Sequence, residues 1–142
     1  MKSKLPPWSV FYHDLRLLVC RPHGIVDEAL LEKTMELLAA AEEEAEEPFN
    51  RYVDLSRIDA VDLRPEFFDE LSLRRRAARA NRPPVKVAMY VTSDATERFA
   101  QTHARMTENS PLQVRVFKAV DAAADWLAVG RQDLEAPPSI RA

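Results

Sequence analysis

Only two glycines, Gly24 and Gly130, occur in the 142 residues, against ten prolines. Glycine lets backbone N–H groups approach a phosphate closely, and the dinucleotide-binding and P-loop fingerprints both place glycines between a strand and a helix. Neither glycine stands in such a loop, so neither fingerprint can be written in this chain. A Rossmann-type or Walker-type nucleotide enzyme is disfavoured. The chain must instead be punctuated by proline, aspartate and serine.

The length fits one domain, at roughly 100–200 residues per domain. With 46% hydrophobic and 30% charged residues, the composition is that of a globular protein with a full core. A core of this size needs neither a disulfide nor a metal. The formal net charge of −3 argues against a nucleic-acid partner, which calls for a basic excess. Cys20 is the single cysteine and has no internal partner, which suits a reducing cytoplasm, the expected location. Lys2 and Lys4 are followed by Pro6 and Pro7 rather than by the apolar region of a signal peptide. No apolar run approaches the ~20 residues needed to span a bilayer, so a soluble protein without a membrane span is expected.

Trp8 to Tyr12 and Leu15 to Cys20 are two short strand-like runs, close enough to form a hairpin although no glycine marks the turn. Pro22 and Gly24 break the chain, and Asp27 stands at an N-cap position. Leu30, Leu31, Thr34, Met35, Leu37 and Leu38 have helical spacing, which predicts a helix ending near Glu47, before Pro48. Its glutamate-rich end, Glu42 to Glu47, opposes the helix dipole and calls for fraying or for basic neighbours.

Tyr52 to Leu55 reads as a strand, with Ile58 and Val61 in a connection. Pro65 opens a helix whose apolar face is Phe67, Phe68, Leu71 and Ala78. Val85 to Val91 reads as a strand covered on both faces. Asp94-Ala95-Thr96-Glu97 has capping-box spacing ahead of a helix carrying Phe99, Thr102 and Met106. Val114 to Phe117 is a last strand, and Asp121 caps a short helix with Trp126 and Leu127. The tail beyond Gly130, with Pro137 and Pro138, is expected to be loose.

This order predicts an α/β fold: a mixed, mostly parallel five-stranded sheet with an N-terminal edge hairpin and about four helices. The whole of 1–142 is read as a single domain with an ordered core over about 8–129.

Three stretches carry a family likeness. They are Arg51-Tyr52-Val53-Asp54-Leu55-Ser56 with Ile58 to Asp62 behind it, Lys86-Val87-Ala88-Met89-Tyr90-Val91, and Val114-Arg115-Val116-Phe117 followed by Ala124-Asp125-Trp126-Leu127. Together these resemble the STAS domain, the sulfate-transporter and anti-sigma-factor-antagonist domain. More narrowly they resemble the SpoIIAA-like proteins of bacteria, over most of residues 8–129. The resemblance implies a STAS-like regulatory or protein-interaction domain. In the antagonist branch a serine at the start of the central helix, just after an Asp, is the phosphoacceptor. The matching Asp62 is followed by Leu63, Arg64 and Pro65, so that hydroxyl is missing, and neither Ser56 nor Ser72 fits the motif.

Strand ends are the default place for a site in an open α/β sheet. Asp54, Ser56, Asp59, Asp62 and Arg64 belong to one such mouth, and Thr92, Ser93 and Asp94 to its neighbour. They are candidates for a docking or small-ligand surface, with turn and cap chemistry as the plainer reading. Arg74, Arg75, Arg76 and Arg79 form a basic patch. It suits an acidic partner, a lipid headgroup or nucleic acid, or it offsets the Glu42–Glu47 run, or it is a solvated face. His13, His23 and His103 match no metal or catalytic spacing, and Cys20 reads as a small buried hydrophobe. No catalytic, cofactor-binding or metal residue is assigned.

The expectation is therefore a non-enzymatic regulatory or protein-interaction domain that self-associates, with the aromatic Trp8–Tyr12 edge as a homodimer or partner surface. The alternative is a carrier of a small molecule or lipid, since SpoIIAA-like domains are grouped with the lipid-binding CRAL-TRIO fold. That alternative requires an apolar cavity.

Overall fold

The structure is a computed structural model, and it describes residues 5–79, 81–108 and 110–135, without the side chains of 72 and 75–79. β1 (Ser9–Tyr12) and β2 (Leu17–Cys20) pair antiparallel, with Tyr12 opposite Leu17. The hairpin closes without glycine because Arg16 takes up the left-handed conformation, φ 49. β4 (Asn50–Asp54), β6 (Val85–Tyr90) and β7 (Leu112–Phe117) continue the sheet in parallel, giving the order β1-β2-β4-β6-β7. This is the mixed, mostly parallel five-stranded sheet with an edge hairpin that the pattern predicts.

Two elements differ from the sequence reading. Gly24–Asp27 is a strand, β3, and it pairs in parallel with β5 (Ile58–Asp62) as a separate two-stranded sheet. The residues read as a break and as a connection are therefore hydrogen-bonded to each other. Among the described residues there are five helices, the four expected and a short fifth. They are α1 (Glu28–Glu44), α2 (Phe67–Arg79), α3 (Asp94–Met106), α4 (Val120–Leu127) and α5 (Arg131–Leu134). The ordered core extends past the expected limit at 129, because α5 seats Leu134 against the sheet at 2% exposure. Pro137 and Pro138 lie outside the described residues.

The caps explain where the helices start. Asp27 accepts a hydrogen bond from the Leu30 N–H at 2.8 Å, as its position predicts. α3 is capped by Ser93 rather than Asp94, with Thr96 completing the box in place of Glu97. The shorter Ser–Thr pair leaves both acids on the positive end of the helix dipole. Asp121 lies in the first turn of α4 and makes no cap bond; the N-cap is Ala119.

α1 stops at Glu44, three residues before the expected end. Basic neighbours do meet its glutamates: Arg51 and Arg82 reach Glu42 and Glu43, and Arg16 pairs with Glu47.

Alternation along the strands divides the core into two layers. Leu17, Val19, Tyr52 and Ala88 face α4 and α5, where Ala123, Ala124 and Leu127 pack on them. Leu18, Cys20, Val53, Val87 and Met89 face the opposite side, under α1, α2 and α3. The path β2 to β4 to β6 to β7 moves in one direction across the sheet. The strand order never reverses within the parallel part, so there is no crevice of the kind that opens at a switch point.

Candidate functional site

Asp54, Ser56, Arg64 and Ser93 among the strand-mouth residues are engaged locally. Asp54 ends β4 and accepts the Ser56 N–H at 2.9 Å, a turn that holds the chain as it leaves the sheet. Asp62 is exposed and sits opposite Asp27 in the β3–β5 ladder. Arg64 donates from Nε to both Glu28 carboxylate oxygens at 2.9 and 3.0 Å, and from Nη2 to Glu70 at 3.2 Å. The Arg64 N–H also reaches Glu28 at 2.9 Å, and these hydrogen bonds hold the Glu28 carboxyl below its usual range. Thr92 is exposed, and Ser93 is the helix cap.

In the basic patch, Arg74 pairs with Glu32 of α1 at 3.2 Å, so it does not offset the Glu42–Glu47 run. Arg75, Arg76 and Arg79 have side chains outside the described residues. His13 and His23 are exposed, and His13 stacks edge-on with Phe11. Among the described residues, no group of three or more His, Cys, Asp or Glu could hold a metal ion.

A different place gathers residues around space. Beneath α1, α2 and α3, on the side of the sheet away from α4, lies an apolar cleft of about 80 Å³. Its helical wall is built by α1, whose Leu30, Leu31, Thr34, Met35 and Leu38 line it from consecutive turns. Phe68 and Leu71 close it from α2, and Phe99 and His103 from α3. Cys20, Arg51, Val53, Val87 and Met89 form the floor from the sheet. Trp8 and Pro22 complete one side. None of the eight strand-mouth candidates lines it.

Two floor residues carry the site's chemistry. Cys20 is buried, and loss of hydration pushes its thiol up to about 12, only partly countered by the charges of Arg51 and Arg21. It is a neutral thiol at any physiological pH and no nucleophile. Arg51 occupies an inward position on β4, 4% exposed, with Nη2 at 3.4 Å from Glu42 Oε1. The sequence reading passed over Arg51 as part of a family motif. The available signal was a charged residue at an inward position of an otherwise apolar strand, with an acid nine residues earlier on α1.

The fold and the cleft together define an α/β domain with helices on both faces of the sheet and an apolar cleft beneath one of the two layers. No family model matches the sequence, and no curated protein matches it. Among solved structures, the chain is similar to an uncharacterized protein of the DUF3478 family with a SpoIIAA-like fold from Shewanella loihica PV-4. The identity is 19%, over 78% of this chain and 83% of that one, with a TM-score of 0.49. The fold conclusion rests on the strand order and register above.

Proposed function

We propose that this chain is a non-enzymatic binding domain that takes a small, mainly apolar molecule into the cleft under α1, α2 and α3. The observation that carries this reading is the cleft itself. Protein interiors pack to nearly crystalline density. A cleft of about 80 Å³ lined by leucine, valine, methionine and phenylalanine leaves apolar surface without the close packing that an interior gives. An apolar cavity with a few polar groups at its wall is the usual form of a small-molecule site.

Size limits the ligand. The space exceeds the ~10–15 Å³ that one water needs and falls below the ~300 Å³ of a site for a drug-sized molecule. A ligand of a few carbon atoms fits as the cleft stands. A lipid chain enters only if α2 and the pliable Met35 move aside. Native mass spectrometry of freshly purified protein tests this: a small adduct, released on mild unfolding, is expected. A clean apo mass together with no thermal stabilisation by small alcohols counts against it.

The free edge of β1 supports a second reading, a cytoplasmic regulatory or protein-interaction domain that self-associates. Among the described residues β1 pairs only with β2, which leaves its outer backbone groups to another strand, and Val10, Phe11 and Tyr12 are half-buried beside them. Asp54, Ser56, Asp62, Arg64, Thr92 and Ser93 then belong to the docking surface, with the Arg74–Arg79 helix as a contact for an acidic partner. The lone free thiol fits a reducing compartment. A dimer mass by light scattering at high micromolar concentration is expected on this reading, and a monomer there removes it.

A further inference from the structure

We propose that the outer edge of β7 docks an extended acidic peptide, which pairs with β7 as a further strand and meets Lys86 and Arg115 with its carboxylates. This surface is separate from the cleft and from the β1 edge. Among the described residues β7 pairs only with β6, so it ends the sheet on the side opposite the hairpin. Such an edge offers a row of backbone donors and acceptors to an incoming strand.

The side chains beside the edge set what kind of strand fits. The register places Lys86, Ala88 and Tyr90 next to Gln113, Arg115 and Phe117. Ala88, Tyr90 and Phe117 pack with α4, so alternation brings Lys86 and Arg115 to that same face. There both cations converge on Trp126 of α4, with Lys86 Nζ 5.3 Å and Arg115 Cζ 5.0 Å from the ring centroid. Lys86 Nζ also donates to the Trp126 carbonyl at 2.9 Å. Among the described residues neither cation meets a carboxylate within ion-pair distance. In a chain of net charge −3, this leaves a local positive field along the β7 edge.

A peptide strand on β7 puts alternate side chains on the α4 face, where acids meet Lys86 and Arg115. The side chains between them lie on the other face, beside the partly buried Val114 and Val116. The occupant is therefore acidic and apolar by turns. A nucleic acid suits the edge less well. Phe117 at 5.7 Å and the two cations already engage the indole on which a base would stack.

The capped hexapeptide Thr-Glu-Val-Glu-Val-Thr carries both acids on one face when extended, and Thr-Lys-Val-Lys-Val-Thr is its charge-reversed control. Each is titrated into the full chain by NMR, following the β7 backbone amides and the Trp126 indole N–H. Saturable shifts with the acidic peptide and at least ~10-fold weaker binding of the lysine peptide are expected. In Arg115→Glu the preference should turn towards the lysine peptide, a reversal that misfolding does not produce. Should that variant not fold, Arg115→Gln takes its place and should weaken the acidic peptide by about threefold or more. Equal affinity for the two peptides overturns the proposal, as do shifts confined to β1 or no shift with either peptide. Tighter binding of an oligouridylate at the same signals gives the edge to nucleic acid and overturns it too.

Discussion

Ala128 and Arg16 hold positive φ angles of 61 and 49, the left-handed region where a Cβ crowds the following carbonyl. Ala128 ends α4, where its N–H bonds back to Ala124 and Asp125, a task glycine does at less steric cost. The nearby Gly130 sits two residues too late, at φ −78, and marks the start of α5 instead. Ala128→Gly should therefore raise stability by about 0.5–1 kcal/mol, the relief of strain less the added chain entropy. A higher urea midpoint with an unchanged slope is the expected result, and a lower midpoint contradicts the strain argument. Cys20 makes a second residue-scale case. Its folded-state value lies above the ordinary 9.0, so above pH 9 the unfolded chain releases a proton that the folded chain keeps. Stability is then present in full below pH 9 and falls as pH rises from there towards 12. Cys20→Ala should flatten the part of that decline due to the thiol, while Tyr52, also shifted upward by burial, retains its own share. A urea series between about pH 8 and 11 reads the difference, and identical slopes in the two proteins would sink the assignment.

Among the elements, those with a strong period were legible from sequence, and those held by partners were not. The leucines of α1, the apolar run of β6 and the Asp27 cap all declare themselves locally. β3 and β5 do not: Gly24-Ile25-Val26-Asp27 and Ile58-Asp59-Ala60-Val61-Asp62 are short and acidic, and become strands only by pairing with each other across α1. α5 was hidden for a similar reason. Four residues cannot form a helix unaided. This one stands because Leu134 is buried among Leu17, Val19 and Leu127 and its carbonyl receives the Arg21 guanidinium. Leu134→Ala should cost about 2–5 kcal/mol, the range for emptying a core leucine. If the segment were a loose tail, as its prolines and lone glycine imply, thermal unfolding of this variant would match the native protein.

At the scale of the whole molecule, the one-directional strand order puts α1, α2 and α3 over one face and leaves α4 and α5 to cover the other. Three helices converging on one face enclose the cleft, so the candidate site is a product of topology. Its lining comes from seven elements and three segments outside them, and no local stretch of sequence contains it. This is why the fold could be read from spacing and the site could not. The strand-mouth residues drew attention through their polarity, yet Asp54, Ser93 and Arg64 serve a turn, a helix cap and ion pairs. The cleft residues are leucines, valines and a threonine, which in sequence look like any core. Space that a ligand occupies should be space that a side chain can fill, and Thr34 on α1 tests this. It lines the cleft at intermediate exposure, and leucine there adds volume and favours the helix. Thr34→Leu should stabilise the protein by about 0.5–2 kcal/mol, the usual return from filling a cavity, and abolish its further thermal stabilisation by small alcohols. Gain of stability with loss of binding is the trade-off expected where a domain keeps a void for use. Loss of stability with binding intact would mean that the cleft is already packed to its limit and that the ligand sits elsewhere.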